Sequence, residues 1–226
     1  MKVMKNGRGD ILIAVAHPSE EEAVRSAALA AGCRCHVIVT GVGGAAMSWA
    51  LQKWFAEGNM TSVVIGAGIA GSYVESIPPG TVVTTLSDCF ADMGVDDNGR
   101  FIPIFGAGLA NANTPPFTGG HIPCTGRFFE TASRLMPAVK GATVNMASGS
   151  QAAIDRIRKA WDPDIETMEG AWLAYTCAMS AIPWISVRAV SNMVEPRNLK
   201  NWNIPLALQN LEQKMIQLLK LVTASE

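Results

Sequence analysis

Three acidic residues stand together behind a short apolar run: Glu20-Glu21-Glu22 follow His17-Pro18-Ser19, and Glu169 precedes an uncharged stretch from Gly170 to Val187. Carboxylates can take a proton from water or hold a hydroxyl by accepting its hydrogen. In so apolar a setting, Glu169 needs donors to offset the cost of burial. A ligand's hydroxyls would supply them, and an ion pair with Arg188 would serve equally well. Asn192 offers a carbonyl acceptor and an NH₂ donor on one planar group. An asparagine behind a strand is also a common loop residue.

Other patterns point away from familiar chemistry. Gly66-Ala67-Gly68-Ile69-Ala70-Gly71 is a literal GxGxxG after a strand candidate. A dinucleotide fingerprint, however, opens a helix in the first βαβ unit. Here Pro78-Pro79-Gly80 arrives too soon for a helix, so the glycines are read as permitting close approach of a ligand. Cys33, Cys35, Cys89, Cys124 and Cys177 are scattered, and Cys33-Arg34-Cys35 has the wrong spacing for a CxxC metal or redox pair. They read as reduced thiols of a cytoplasmic protein. The basic start MKVMKNGRGD leads into no signal-peptide pattern.

The 226 residues suit a single domain. Lys+Arg 18 against Asp+Glu 19 leaves a net charge of −1, which gives no electrostatic footprint for nucleic acid. The uncharged stretch 170–187 approaches the length of a membrane span. Thr176, Ser180 and Pro183 argue instead for a buried helix followed by a buried strand. With charged residues at only 16%, part of the surface should be covered by a second copy, in a homodimer or higher homo-oligomer.

Positioning these groups falls to alternating β and α units. Strands are expected at 11–16, 36–40, 62–65, 81–86, 142–146 and 184–190, helices at 19–31, 44–57, 125–136, 150–160, 166–180 and 204–221. Ser19 would cap the first helix. Leu208, Leu211, Met215, Leu218 and Val222 mark one apolar face of the last. The order predicts a three-layer α/β/α sandwich with a mixed, largely parallel central sheet. Residues 92–123, rich in Gly, Pro and Asn, read as a long functional loop.

Several segments in order resemble the purine nucleoside phosphorylase/nucleosidase superfamily. They are Pro18-Ser19-Glu20-Glu21-Glu22-Ala23-Val24, Thr40-Gly41-Val42-Gly43, Gly68-Ile69-Ala70-Gly71, Pro79-Gly80-Thr81-Val82-Val83, Ala147-Ser148-Gly149, Thr167-Met168-Glu169-Gly170-Ala171 and Arg188-Ala189-Val190-Ser191-Asn192. Within it, Phe90-Ala91-Asp92-Met93-Gly94-Val95, Met168-Glu169-Gly170-Ala171 and the run from Arg188 to Arg197 are most similar to the futalosine hydrolases. That resemblance implies hydrolysis of a purine nucleoside to free hypoxanthine, without metal or organic cofactor. Three acids where phosphorylases carry a phosphate-binding loop favour water as nucleophile.

The resemblance assigns roles residue by residue. Glu22 is the favoured water-activating base, with Glu20 and Glu21 as alternatives, because the spacing differs from related nucleosidases by one inserted residue. Glu169 would hold the ribose hydroxyls, and Met168 would pack against the sugar or simply fill the core. Asn192 stands where adenine-specific nucleosidases place an aspartate; its amide suits a 6-oxopurine, accepting from N7–H and donating to O6. Ser191 would orient it. Ile69 replaces a small polar residue, so that contact is expected to be absent or made by backbone. Arg100, Arg127, Arg197 and His121 are candidates for the substrate's carboxylated aromatic end. Two alternatives stay open: a 5′-methylthioadenosine/S-adenosylhomocysteine nucleosidase and a non-catalytic nucleoside-binding protein.

Overall fold

Runs of Ile, Val and Ala that lack polar alternation become strands covered on both faces. A computed structural model describes residues 9–224, so the basic start read above lies largely outside the described residues. The elements are β1 (Asp10–Val15), α1 (Pro18–Ala31), β2 (Cys35–Val39), α2 (Gly44–Ala56), β3 (Thr61–Ser72), β4 (Val82–Asp88), β5 (Gly94–Asp97) and β6 (Arg100–Pro103). There follow β7 (Ile122–Pro123), α3 (Arg127–Ser133), β8 (Ala138–Thr143), α4 (Gln151–Trp161), β9 (Ile165–Thr167), α5 (Gly170–Met179), β10 (Trp184–Met193) and α6 (Ile204–Ala224).

The main sheet runs β10-β4-β8-β9-β3-β1-β2, and β10 pairs a second time with β3. Strands β3, β10, β4, β8 and β9 therefore close into a ring, from which β1 and β2 extend. Pairings β1–β2, β1–β3, β3–β10, β4–β8 and β8–β9 are parallel. Pairings β4–β10, β3–β9 and β4–β7 are antiparallel. The mixed, largely parallel α/β architecture expected from the sequence holds, with a sheet more curled than a flat central layer.

Helices cover the sheet in packed pairs, α1 against α6 and α2 against α5. On α6, Leu211, Met215, Leu218 and Val222 are buried as the periodicity predicts, joined by Ala207 and Leu219, while Leu208 is only half-buried. Each fully buried Leu or Val on that face contributes about 1.5–3 kcal/mol. The uncharged stretch resolves into buried α5 and β10, and no helix among the described residues is long and apolar enough to cross a membrane. No disulfide joins any of the five cysteines.

Two expected elements change. The helix expected over 166–180 opens instead as β9, because Ile165–Thr167 pairs with both β3 and β8. The stretch 92–123 is not structureless: β5 and β6 form a hairpin whose turn residues, Asn98 and Gly99, both have positive φ (51° and 84°). Phe105 and Phe117 pin the rest of this segment against each other at 5.1 Å, with Phe117 also 5.9 Å from Tyr175 of α5.

Candidate active site

A cavity of about 360 Å³ opens where the C-terminal ends of β1, β3 and β10 meet β9 and the start of α5. It is lined by Glu20, Ile69, Gly71, Glu166, Met168, Glu169, Ser191 and Asn192, among others. Where α1 begins decides which of the three consecutive glutamates faces this cavity. His17 is the N-cap and Pro18 occupies the first turn, so Glu20 falls at the third helical position and folds back in a capping box. Its Oε2 accepts from the backbone N–H of Ala16 (2.9 Å) and His17 (3.0 Å), and Oε1 accepts from Ile69 N–H (2.9 Å). Glu20 is 5% exposed. Two residues on, at 100° per residue, Glu22 faces the opposite way and is exposed to solvent.

Glu169 arrives from the turn between β9 and α5. Its Oε1 accepts from Gly43 N–H at 2.8 Å. Burial raises its carboxyl above the usual range, opposed by the field of Arg188 and the Gly43 donor. No Glu169–Arg188 pair at ion-pair distance is present among the described residues, so the alternative of a structural salt bridge is not realised. Arg188, 2% exposed, instead donates from Nε to Ser186 Oγ at 3.0 Å, and its Nη2 has no protein partner.

Asn192 is placed by a break in sheet register. Val190 pairs with Ala70 and Asn192 with Gly71, leaving Ser191 as the extra residue of a bulge. The bulge aims the amide at the cavity. Ser191 Oγ donates to Asn192 Oδ1 (2.8 Å), and Asn192 Nδ2 donates to Met193 O (2.9 Å). One lone pair on Oδ1 and one N–H on Nδ2 remain for a ligand.

The glycine motif lies wholly within β3 and opens no helix. A Cβ on Gly68 would come 2.6 Å from Glu20 Oε1 and 2.8 Å from Arg188 Nη1; one on Gly71 would come 3.3 Å from Asn192 Nδ2. The glycines make room for the site's own side chains.

The family model described as the phosphorylase superfamily matches residues 13–225. The chain belongs to that superfamily. Within it, the chain is 32% identical to the futalosine hydrolase of Acidothermus cellulolyticus over 201 residues, 87% of this chain and 78% of that protein. The fold matches a crystal structure of the 5′-methylthioadenosine/S-adenosylhomocysteine nucleosidase from Neisseria meningitidis with methylthio-immucillin-A (TM-score 0.79, 18% identity, 94% of this chain and 99% of that one). It also matches the native futalosine hydrolase of Helicobacter pylori (TM-score 0.76, 14% identity, 96% and 98%).

In this phosphorylase-superfamily chain, Met168, Glu169, Ser191, Asn192 and Ile69 converge on one cavity as the sequence led us to expect. Ile69 contributes its backbone N–H to Glu20, as a residue lacking a polar side chain must. Glu22 does not converge, and Glu20 takes its place. Of the four side chains that could meet a carboxylated ligand, Arg197 lines the cavity, whereas Arg100, Arg127 and His121 do not. Nor does any residue of 92–123. Glu166, which the sequence pattern places in the first turn of a helix, lies instead on β9. It is 7% exposed, lines the cavity, and accepts from Ser148 N–H (2.8 Å) and the Tyr73 hydroxyl.

One further carboxylate lies close by. Asp88, wholly buried at the end of β4, accepts at Oδ1 from Cys89 N–H (2.9 Å) and Thr143 Oγ1 (2.8 Å), while Oδ2 has no partner. Burial pushes its carboxyl up from 3.8 to about 7, against the hydrogen bond from Thr143 and the field of Arg188. The folded state thus holds the proton more tightly than the unfolded chain, so stability falls as pH rises from about 4 through about 7. Urea unfolding of wild type and Asp88→Asn across that window should show wild type losing stability relative to the variant. A difference independent of pH would refute the assignment.

Proposed function

We propose that this chain is a futalosine hydrolase, an N-ribosyl hydrolase that splits futalosine into hypoxanthine and dehypoxanthine futalosine in menaquinone biosynthesis. The observation that carries this is the convergence of Glu20, Glu169 and the Asn192 amide on one cavity. The 32% identical relative carrying that activity supports it.

The reaction needs a water at C1′, a tolerated positive charge on the ribose, and a stabilised leaving base. Glu20 has one lone-pair site left on Oε1 after accepting three backbone donors, and there it takes the proton of the attacking water. The water oxygen bonds to C1′ as the C1′–N9 electrons withdraw into the purine. Glu169 accepts from the ribose hydroxyls, and its charge favours the oxocarbenium-like transition state. Met168 packs beside the sugar. Asn192 accepts from N7–H, protonated from solvent, and donates to O6. Ser191 fixes the orientation of the amide.

The carboxylates of Glu20, Glu166, Glu169 and Glu195 line the cavity, a poor setting for phosphate and a better one for water. Arg197 is the sole Arg or Lys among the lining residues, with its guanidinium 5.8 Å from the Trp202 ring centroid. This pair receives the aromatic carboxylate of the substrate, the ring on Trp202 and the acid on Arg197. The same reading places the enzyme in the cytoplasm as a homodimer or larger assembly, in keeping with exposed Trp49, Met60 and Met179.

Separate incubation with futalosine, inosine and methylthioadenosine, with and without phosphate, tests the proposal by chromatography of the freed base. Hypoxanthine should appear from futalosine, faster than from inosine, at a rate indifferent to phosphate. Adenine released from methylthioadenosine in preference would establish the other nucleosidase. A rate proportional to phosphate would establish a phosphorylase, and binding without turnover a nucleoside-binding protein.

A further inference from the structure

Glu169 reaches the cavity from the N-cap of α5. A residue in that place ordinarily turns its own side chain onto the first free N–H groups of the helix. Glu169 makes no such bond, and its Oε1 accepts from Gly43 N–H instead, at 2.8 Å. The helix is capped from elsewhere. Ala171 N–H donates to Thr143 Oγ1 at 2.7 Å, and Gly170 N–H donates to Thr167 Oγ1 at 3.2 Å. Thr143 ends β8, Thr167 ends β9, and the parallel register sets the two side by side.

Behind these hydroxyls stands Asp88. Thr143 gives its one hydroxyl proton to Asp88 Oδ1 (2.8 Å), so both lone pairs of Thr143 Oγ1 are left to accept. One takes Ala171 N–H. The 3.3 Å contact between the two hydroxyls then has a single direction, with Thr167 as donor. Proton order runs from Thr167 to Thr143 to Asp88. Cys89 N–H also lands on Oδ1, so a proton held on the partnerless Oδ2 leaves these bonds in place. All three side chains are buried. A Cβ on Gly170 would run into Asp88 Oδ2, so the first turn of α5 rests directly on this group.

The two hydroxyls thus do what an N-cap side chain would otherwise do, and the N-cap carboxylate is left for the cavity. We propose that Thr143 is a positioning residue for Glu169: held by Asp88, it caps α5 from β8 and so keeps the Glu169 carboxylate aimed at the hydroxyls of a bound sugar. The assignment rests on the proposed sugar-holding role of Glu169 and adds the device that holds it. Without the Thr143 hydroxyl, Ala171 N–H would be buried with no acceptor, a costly state. The N-cap carboxylate is the group placed to fold back onto it, and it would leave Gly43 and the cavity to do so.

Thr143→Val and Thr143→Ala both remove the hydroxyl, one keeping the volume and one reducing it, so either variant that folds serves. Thr143→Ser keeps the hydroxyl. Calorimetry would compare formycin B, an inosine analogue whose base is joined to the sugar through carbon and is not released, with its 2′-deoxy form. Wild type and Thr143→Ser should prefer the ribose form about 10- to 100-fold, the weight of a hydrogen bond to a charged group. In Thr143→Val or Thr143→Ala that preference should shrink by about fivefold or more. Affinity for free hypoxanthine, which meets Asn192 on another element, should stay within about twofold. Ligand-free crystal structures should show Glu169 withdrawn from Gly43 in the hydroxyl-free variants and in place in Thr143→Ser. A full ribose preference without the hydroxyl would overturn the proposal while leaving the sugar-holding role intact. So would equal weakening of hypoxanthine and formycin B, which marks a merely structural residue, or a Thr143→Ser that loses the preference. If wild type itself shows no ribose preference, the sugar-holding role fails and the crystal structures decide. Glu169 displaced only where the hydroxyl is absent sustains the positioning role, and Glu169 unmoved overturns it.

Discussion

Glu20→Gln is expected to lower kcat for futalosine by roughly two to four orders of magnitude, the usual weight of a positioned general base, with KM within a few-fold. The split follows from the geometry, because Glu20 meets the water and not the purine or its extension. The amide is a poor substitute twice over. It cannot take the water's proton, and its NH₂ must face either Ile69 N–H or the N–H pair of Ala16 and His17, where oxygens now accept at 2.9–3.0 Å. Some loss of stability at the start of α1 should accompany the kinetic defect, in the range of a lost helix cap, about 0.5–2 kcal/mol. Glu22→Gln is the matched control, since Glu22 is exposed on the far side of the same helix turn. Its kcat should stay within twofold of wild type. A dead Glu22→Gln beside an active Glu20→Gln would return the base to the position that motif matching favoured.

That control shows where the sequence was legible and where it was not. The alternation of apolar runs and amphipathic stretches was enough for the α/β order. The motif Arg188-Ala189-Val190-Ser191-Asn192 was enough to single out the amide. A choice among three consecutive glutamates depends on helix phase, and the phase depends on a cap. Ser19 is the expected N-cap by residue type, yet His17 takes that place, and the shift swings Glu20 inward. Glu166 was hidden for a different reason. A strand of three residues has no periodicity of its own, and β9 exists only because β3 and β8 flank it. The Asn98-Gly99 turn, by contrast, is a local hairpin signal, masked by the many other glycines and prolines of 92–123.

Asn192→Asp should cut kcat/KM for futalosine by roughly a thousandfold, because a site built to donate to O6 would then oppose it with a carboxylate oxygen. A second strain arises inside the protein. Asn192 Nδ2 now donates to Met193 O at 2.9 Å, and an aspartate oxygen there would face a carbonyl. For an adenine nucleoside the substitution helps at the 6-amino group and at N7, where a carboxylate oxygen accepts. Asn192→Asp should therefore raise the rate on methylthioadenosine relative to futalosine by at least tenfold, even if both absolute rates fall. Steady-state assays of wild type and variant on the two nucleosides measure that ratio. If both substrates lose rate in equal proportion, position 192 supports the shape of the site and does not set the choice of purine.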